Sequence, residues 1–176
     1  MRCSERRRAV AVAIGASRGH RRWVVRPLYH LDMSEPAKKS RMDRLFDRIE
    51  SHGFESLTPN ERSAFALRWF YIEANNGGLH QFFFNDAGKL AADALRGLEF
   101  LGAQNTAGIL RRAMSVFPDG VVPSDQEQRR EFLNDSLTPE QEQSLSDLTT
   151  EFFQSSEPVA DLLTAYIEQH PEEFPT

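Results

Sequence analysis

Two tetrapeptides eighty residues apart, Thr58-Pro59-Asn60-Glu61 and Thr138-Pro139-Glu140-Gln141, restrict the fold of this chain more than any other feature. In each, the threonine side chain accepts a backbone N–H three residues on, and the Glu or Gln there reaches back to the threonine N–H. Proline takes the first helical position, where no N–H is needed. Each tetrapeptide therefore opens a helix. From Met42 onward the remaining punctuation is of the same kind. DRLFDRIESHG places Leu45, Phe46 and Ile49 on one face and stops at Gly53. ERSAFALRWFYIEANN carries Phe65, Trp69 and Ile72 as one stripe and Ala66 and Phe70 as another, the pattern of a central helix, and it stops at Gly77 and Gly78. Ala87 to Leu101 predicts a helix with Leu90, Ala94, Leu98 and Leu101 inward. Asn105 or Thr106 caps the next, which closes at Pro118. Ser124-Asp125-Gln126-Glu127 reads as a further capping box for a short helix to about Leu133, and the Thr138 box starts a helix through Phe153. Ser156 caps a last helix with Leu162, Leu163, Tyr166 and Ile167 apolar. No stretch alternates apolar and polar residues well enough for a strand. The expected fold class is all-α, an irregular bundle of about six to seven helices.

A single cysteine, Cys3, excludes a disulfide framework and a zinc site built on paired cysteines, and it suits a cytoplasmic protein. The longest apolar run, AVAVAIGA at residues 9–16, falls short of the roughly 20 residues that a membrane span requires. Charge divides the chain sharply. Residues 1–44 carry 12 Lys and Arg against 4 acids, whereas residues 45–176 carry 9 against 22. Residues 1–41 therefore read as a basic, disordered extension, of which 1–32 look like an over-long reading of the gene upstream of Met33. The alternative is a basic arm that touches nucleic acid or the acidic domain itself. The acidic helical domain is expected over residues 42–170, with 171–176 as a tail.

Catalytic signatures are weak throughout. Gly15-Ala16-Ser17-Arg18-Gly19 fits a nucleophile elbow, and VAIGASRG echoes a dehydrogenase glycine turn. Neither is followed by the alternating strands and helices that such sites require. None of histidines 20, 30, 52, 80 and 170 completes a Glu-x-x-His or His-x-x-x-His pair, so no metal and no cofactor are expected. Glu73 and His80 could meet across the glycine turn as an acid–base couple, or stand apart as a turn carboxylate and a surface histidine.

The stretch EANNGGLHQFFFNDAG, residues 73–88, is open to three readings: a catalytic loop, a ligand cradle, or a corner between buried helices. Glycine and asparagine are the residues that best adopt the left-handed conformation a sharp helix end requires. The next segment can then pack back on Phe70, with Leu79, Phe82 and Phe83 inward and Gln81 and Asn85 sharing a face. In order, Trp69, Glu73, Asn76, Gly77, Gly78, Gln81, Phe82, Asn85 and Gly88 resemble the core motif of a bacterial domain family that includes a DNA-mimic protein. LGAQNTAGILRRAMSVFP resembles that family's following segment, so the likeness extends over roughly residues 42–155. It implies an all-helical protein whose surface carboxylates imitate DNA phosphates, with the Glu73–Gly88 motif holding the fold.

Could the charge support that role? Duplex DNA carries about one phosphate per 1.7 Å of axis, or roughly one per 100 Å² of its surface. Thirteen net charges over the roughly 7,000 Å² of a domain this size would be several-fold more dilute. Mimicry therefore requires clustering of Asp125, Glu127, Glu131, Asp135, Glu140, Glu142, Asp147, Glu151, Glu157, Asp161 and Glu168 on their three successive helices. On this reading the partner is a basic DNA-binding protein. The acidic domain itself binds neither nucleic acid nor membrane, and acts as a monomer or homodimer. An enzyme or ligand binder using Glu73, His80, Gln81 and Asn85, and a structural or assembly protein using its aromatic surface, are the alternatives.

Overall fold

The structure is a computed structural model that describes residues 39–174. The readings placed on residues 1–38 lie outside the described residues. Seven α-helices and no strand occur among the described residues, which makes the fold all-α.

Ser40 opens α1 (Arg41–His52) with a capping box of its own: its hydroxyl accepts from Asp43 N, and the Asp43 carboxylate accepts from Ser40 N. Both Thr-Pro boxes form as expected. Thr58 and Glu61 start α2 (Pro59–Phe84), and Thr138 and Gln141 start α6 (Pro139–Gln154). α2 is the axis of the fold. Ala64, Ala66, Leu67, Phe70 and Ala74 are fully buried along it, as are Leu79, Phe82 and Phe83 beyond the glycines. α3 (Ala91–Phe100) and α6 pack against α2, and α4 (Gln104–Met114) packs on both α3 and α6. Close approach of α3 to α2 depends on Gly97, where a Cβ would stand 3.0 Å from Ser63 O. Aromatic rings link the layers: Phe152 of α6 meets Phe70, Phe70 meets Phe82, Phe82 meets Phe83, and Phe83 meets Phe117, each pair within 5.7 Å between centroids.

Four helix starts differ from expectation. The helix expected from Ala87 begins as a 3₁₀ turn, Asp86–Leu90, before α3 proper. α4 starts at Gln104 with no cap from Asn105 or Thr106 side chains. Asp125, not Ser124, caps α5 (Gln126–Glu131), and the chain then widens into a π turn at Phe132–Ser136. α7 (Val159–Gln169) starts after Pro158 and is not capped by Ser156. Residues 171–174 fold back onto the bundle, where Phe174 is buried and packs edge-on against Tyr166.

Candidate functional site

The glycine pair is a hinge inside α2. Gly77 has extended φ, and Gly78 has φ 78° and ψ −173°, after which the helix resumes. In a straight helix, residues eight and twelve positions after Glu73 would lie about 12 and 18 Å up the axis. The kink instead brings both to it: Gln81 Nε2 and Asn85 Nδ2 donate to the same Glu73 oxygen, at 2.9 and 2.8 Å. Gln81 reaches Glu73 by crossing over Gly77, where a Cβ would sit 2.1 Å from its Oε1. The motif is thus one interlocked unit: the acid, the two amides and the side-chain-free residue each require the others. Gln81 and Asn85 share a face, as expected, and both amides serve the Glu73 carboxylate.

Kinking also frees the Leu79 N–H from its helical acceptor. Thr149 of α6 takes it, accepting at 3.1 Å while donating to Leu145 O at 2.8 Å. At the far end of α2 the last carbonyls are met by α5. Arg129, fully buried, donates from Nε to Phe83 O and from Nη2 to Asn85 O, both at 2.9 Å. Its Nη1 donates to Pro123 O and Ser124 O, at 2.8 and 2.9 Å. Burial pushes this guanidinium down from its usual pKa, against the opposing charges of Asp86 and Asp125. Gly88 is explained by the same contact, because a Cβ there would lie 2.6 Å from Phe83 O and 2.8 Å from Arg129 Nε. Arg130 donates to Phe84 O and stands over the Phe84 ring, on which His80 also stacks. Glu73 and His80 form no hydrogen bond. Of the remaining motif residues, Phe82 is core and Asn76 is exposed, while Trp69 belongs to a separate aromatic group with Phe46 and Phe65.

The acids divide among several roles. Glu140, Asp147 and Glu151 recur at intervals of seven and four and line one groove beside α4. Glu142 lies about 200° around the helix from Glu140, so it belongs to the other flank. Asp125 is spent capping α5, accepting from Gln128 N at 2.9 Å, whereas Glu127, Glu131 and Asp135 are exposed. Glu127 and Glu131 lie on α5 and Asp135 in the π turn after it; α5 packs on α2 and the Asp86–Leu90 turn, while the groove lies where α6 meets α4. Asp161 is exposed at the start of α7, and Glu168 lies 3.8 Å from Arg41.

Glu157, half-buried, is committed to a helix end. Its carboxylate accepts from Asn105 N at 2.9 Å, Thr106 N at 2.7 Å and Thr106 Oγ1 at 2.6 Å, and so caps α4 from 51 and 52 residues away. Burial raises its pKa, but the hydrogen bonds from Thr106 and Asn105 outweigh burial and hold it below the usual glutamate value. A depressed folded-state pKa contributes stability that is complete above the unfolded value of 4.5 and is lost as pH falls through the folded value. Glu157→Gln is therefore expected to lower stability by about 1–2 kcal/mol near neutral pH, the cost of a lost cap. The gap to wild type should close in acid, as read by urea unfolding across pH 3–7. A gap independent of pH would exclude the charged cap.

One group of possible metal ligands occurs among the described residues. His170 Nδ1 lies 3.3 Å from Glu172 Oε1 and 4.0 Å from Glu173 Oε1. They meet through a turn after α7, not through the helical spacing weighed in the sequence. The other Glu173 oxygen is taken by Tyr166 Oη and Asn60 Nδ2. Burial, then this hydrogen bond and the charge of Glu173, push the Tyr166 pKa up to about 12.

Arg129, Thr149 and the capping role of Glu157 escaped sequence reasoning. Arg129 carried one usable signal: it stands four residues before Leu133, on the inward face of α5.

Fold and site together define an all-helical module with a locked internal hinge and an acid-rich carboxy-terminal half. The sequence pattern described as DMP19-like protein matches residues 55–170, and the chain belongs to that family. The match begins after α1 and runs through α7, later at both ends than the expected 42–155. No curated protein and no solved structure matches the chain.

Proposed function

We propose that this protein is an acidic protein-binding module of the DNA-mimic type, whose exposed carboxylates engage the cationic DNA-binding surface of a partner. One observation carries the reading. From Asp119 onward the chain has 14 acids against only Arg129 and Arg130, and both arginines are drawn into the fold onto backbone carbonyls. The acids of α5 and α6 are left with little neutralisation from their own helices. Family membership supports the same reading. Magnitude limits it: Glu140, Asp147 and Glu151 span about 16 Å of helix, along which duplex DNA would present about ten phosphates. The α6 flank alone is about a third as dense as DNA, so an effective mimic combines it with the exposed acids of α5 and the π turn.

The test uses the full chain, immobilised at low salt with a host extract. It should retain DNA-binding proteins that a salt step or added duplex DNA releases. A variant with Glu127→Gln, Glu131→Gln, Asp147→Asn and Glu151→Gln should retain at most a tenth as much. Unchanged retention by that variant overturns the proposal.

A further inference from the structure

The groove on α6 already holds a cation. Arg112 of α4 donates to Glu151 Oε1 at 2.6 Å, with a second bond from Nε to Gly108 O at 3.3 Å. It lines the groove of about 520 Å³ together with Glu140, Asp147, Leu148 and Glu151. Asp147 accepts only the neutral amide of Gln143, at 2.8 Å, and no cation among the described residues pairs with Glu140 or Asp147. One guanidinium thus serves a groove of three carboxylates and bonds Glu151 alone, which leaves Asp147, one turn away, without a cation. The Arg112 and Glu151 side chains are 55% and 42% exposed, so their pairing is weak and readily exchanged.

Building on the proposed acidic interface, we infer that Arg112 is a built-in competitor for it. In the free protein its guanidinium occupies the place on Glu151 that an arginine of the partner takes in the complex. The partner's planar guanidinium then bridges Glu151 and Asp147, which stand one helical turn apart. Arg112 tempers affinity, because an incoming guanidinium must first displace it from Glu151.

Arg111, its neighbour, supplies the control. It pairs with Glu99 of α3 at 2.5 Å and does not line the groove, so Arg111→Gln changes net charge identically. A fluorescent oligo-arginine peptide, followed by anisotropy against the full chain over a salt series, reads the effect. Arg112→Gln should tighten binding about two- to fivefold at low salt, with the difference fading at high salt. Arg111→Gln should change it less, and the double variant Arg112→Gln/Glu151→Gln should return near wild type. Equal tightening by the two single variants reduces the effect to net charge and overturns the inference. No tightening by Arg112→Gln overturns it too, while salt-dependent binding that Asp147→Asn weakens leaves the acidic interface standing. If the wild-type chain shows no salt-dependent binding, both fall together. All variants should keep the wild-type melting temperature, because Arg112 and Arg111 lie at the surface.

Discussion

Arg129→Met should cost about 4 kcal/mol of folding stability. The side chain is fully buried, and its four hydrogen bonds all run to backbone carbonyls: Phe83 and Asn85 at the end of α2, and Pro123 and Ser124 before α5. Methionine fills similar space but donates nothing. Each stranded carbonyl then loses about 1 kcal/mol or more. The carbonyl ends of helices carry partial negative charge, which a guanidinium offsets and a thioether cannot. Urea unfolding should show the lowered midpoint, with a melting temperature about 8–16 °C lower for a chain of this length. Arg129→Lys should recover little of the loss. An ammonium offers three donors from one point, whereas the guanidinium fork spans two separate backbone segments. If Arg129→Met unfolds at the wild-type midpoint, the arginine is not the joint between α2 and α5.

This residue also shows where the sequence stops being informative. The Thr58 and Thr138 boxes are legible because a cap and its partner lie within four residues, and the physics is local. The inward stripe of α2 is legible because burial follows a helical period. The Gly77-Gly78 break is legible because few residues can take its backbone conformation. What stays hidden is closed by residues far along the chain: Arg129 on Phe83, Thr149 on Leu79, Glu157 on Thr106. Periodicity is silent about which distant side chain will satisfy an orphan carbonyl or N–H. For that reason Glu157 counts as a surface acid in the sequence and is a helix cap in the fold. The acidic face is legible only helix by helix. Spacing puts Glu140, Asp147 and Glu151 on one flank, but only the packing of α6 on α4 shows that Arg112 shares it. In the Glu73 motif the residue types were readable, whereas the bond pattern depended on the hinge.

Gly78→Ala is the second large effect, and it tests that hinge directly. At φ 78° and ψ −173° the residue sits in a region that only glycine occupies freely, which costs another residue about 1–3 kcal/mol. Sterics compound the strain, since a Cβ would stand 2.5 Å from Thr149 Cγ2 and 3.0 Å from Thr149 Oγ1. Moving Thr149 aside would strip the Leu79 N–H of its acceptor beside a fully buried side chain, at about 1–3 kcal/mol more. Together these predict a loss of about 2–6 kcal/mol in urea unfolding. Gly77→Ala should cost less than half as much. Its φ of −159° suits any residue, and its Cβ would displace the Gln81 side chain, whose Oε1 and Cβ lie 2.1 and 3.1 Å away, at the cost of the Gln81–Glu73 hydrogen bond. Thr149→Ser removes the clashing methyl and keeps the hydroxyl. Added to Gly78→Ala, it should restore the steric part of the loss and leave the backbone strain. Because Thr149 ties α6 to the hinge, Gly78→Ala should also shift the flank that carries Glu140, Asp147 and Glu151, and so weaken capture of basic proteins. If the glycine variant were destabilised as predicted yet captured its partners as tightly as wild type, the hinge would serve the core alone and not the placing of the acidic helix.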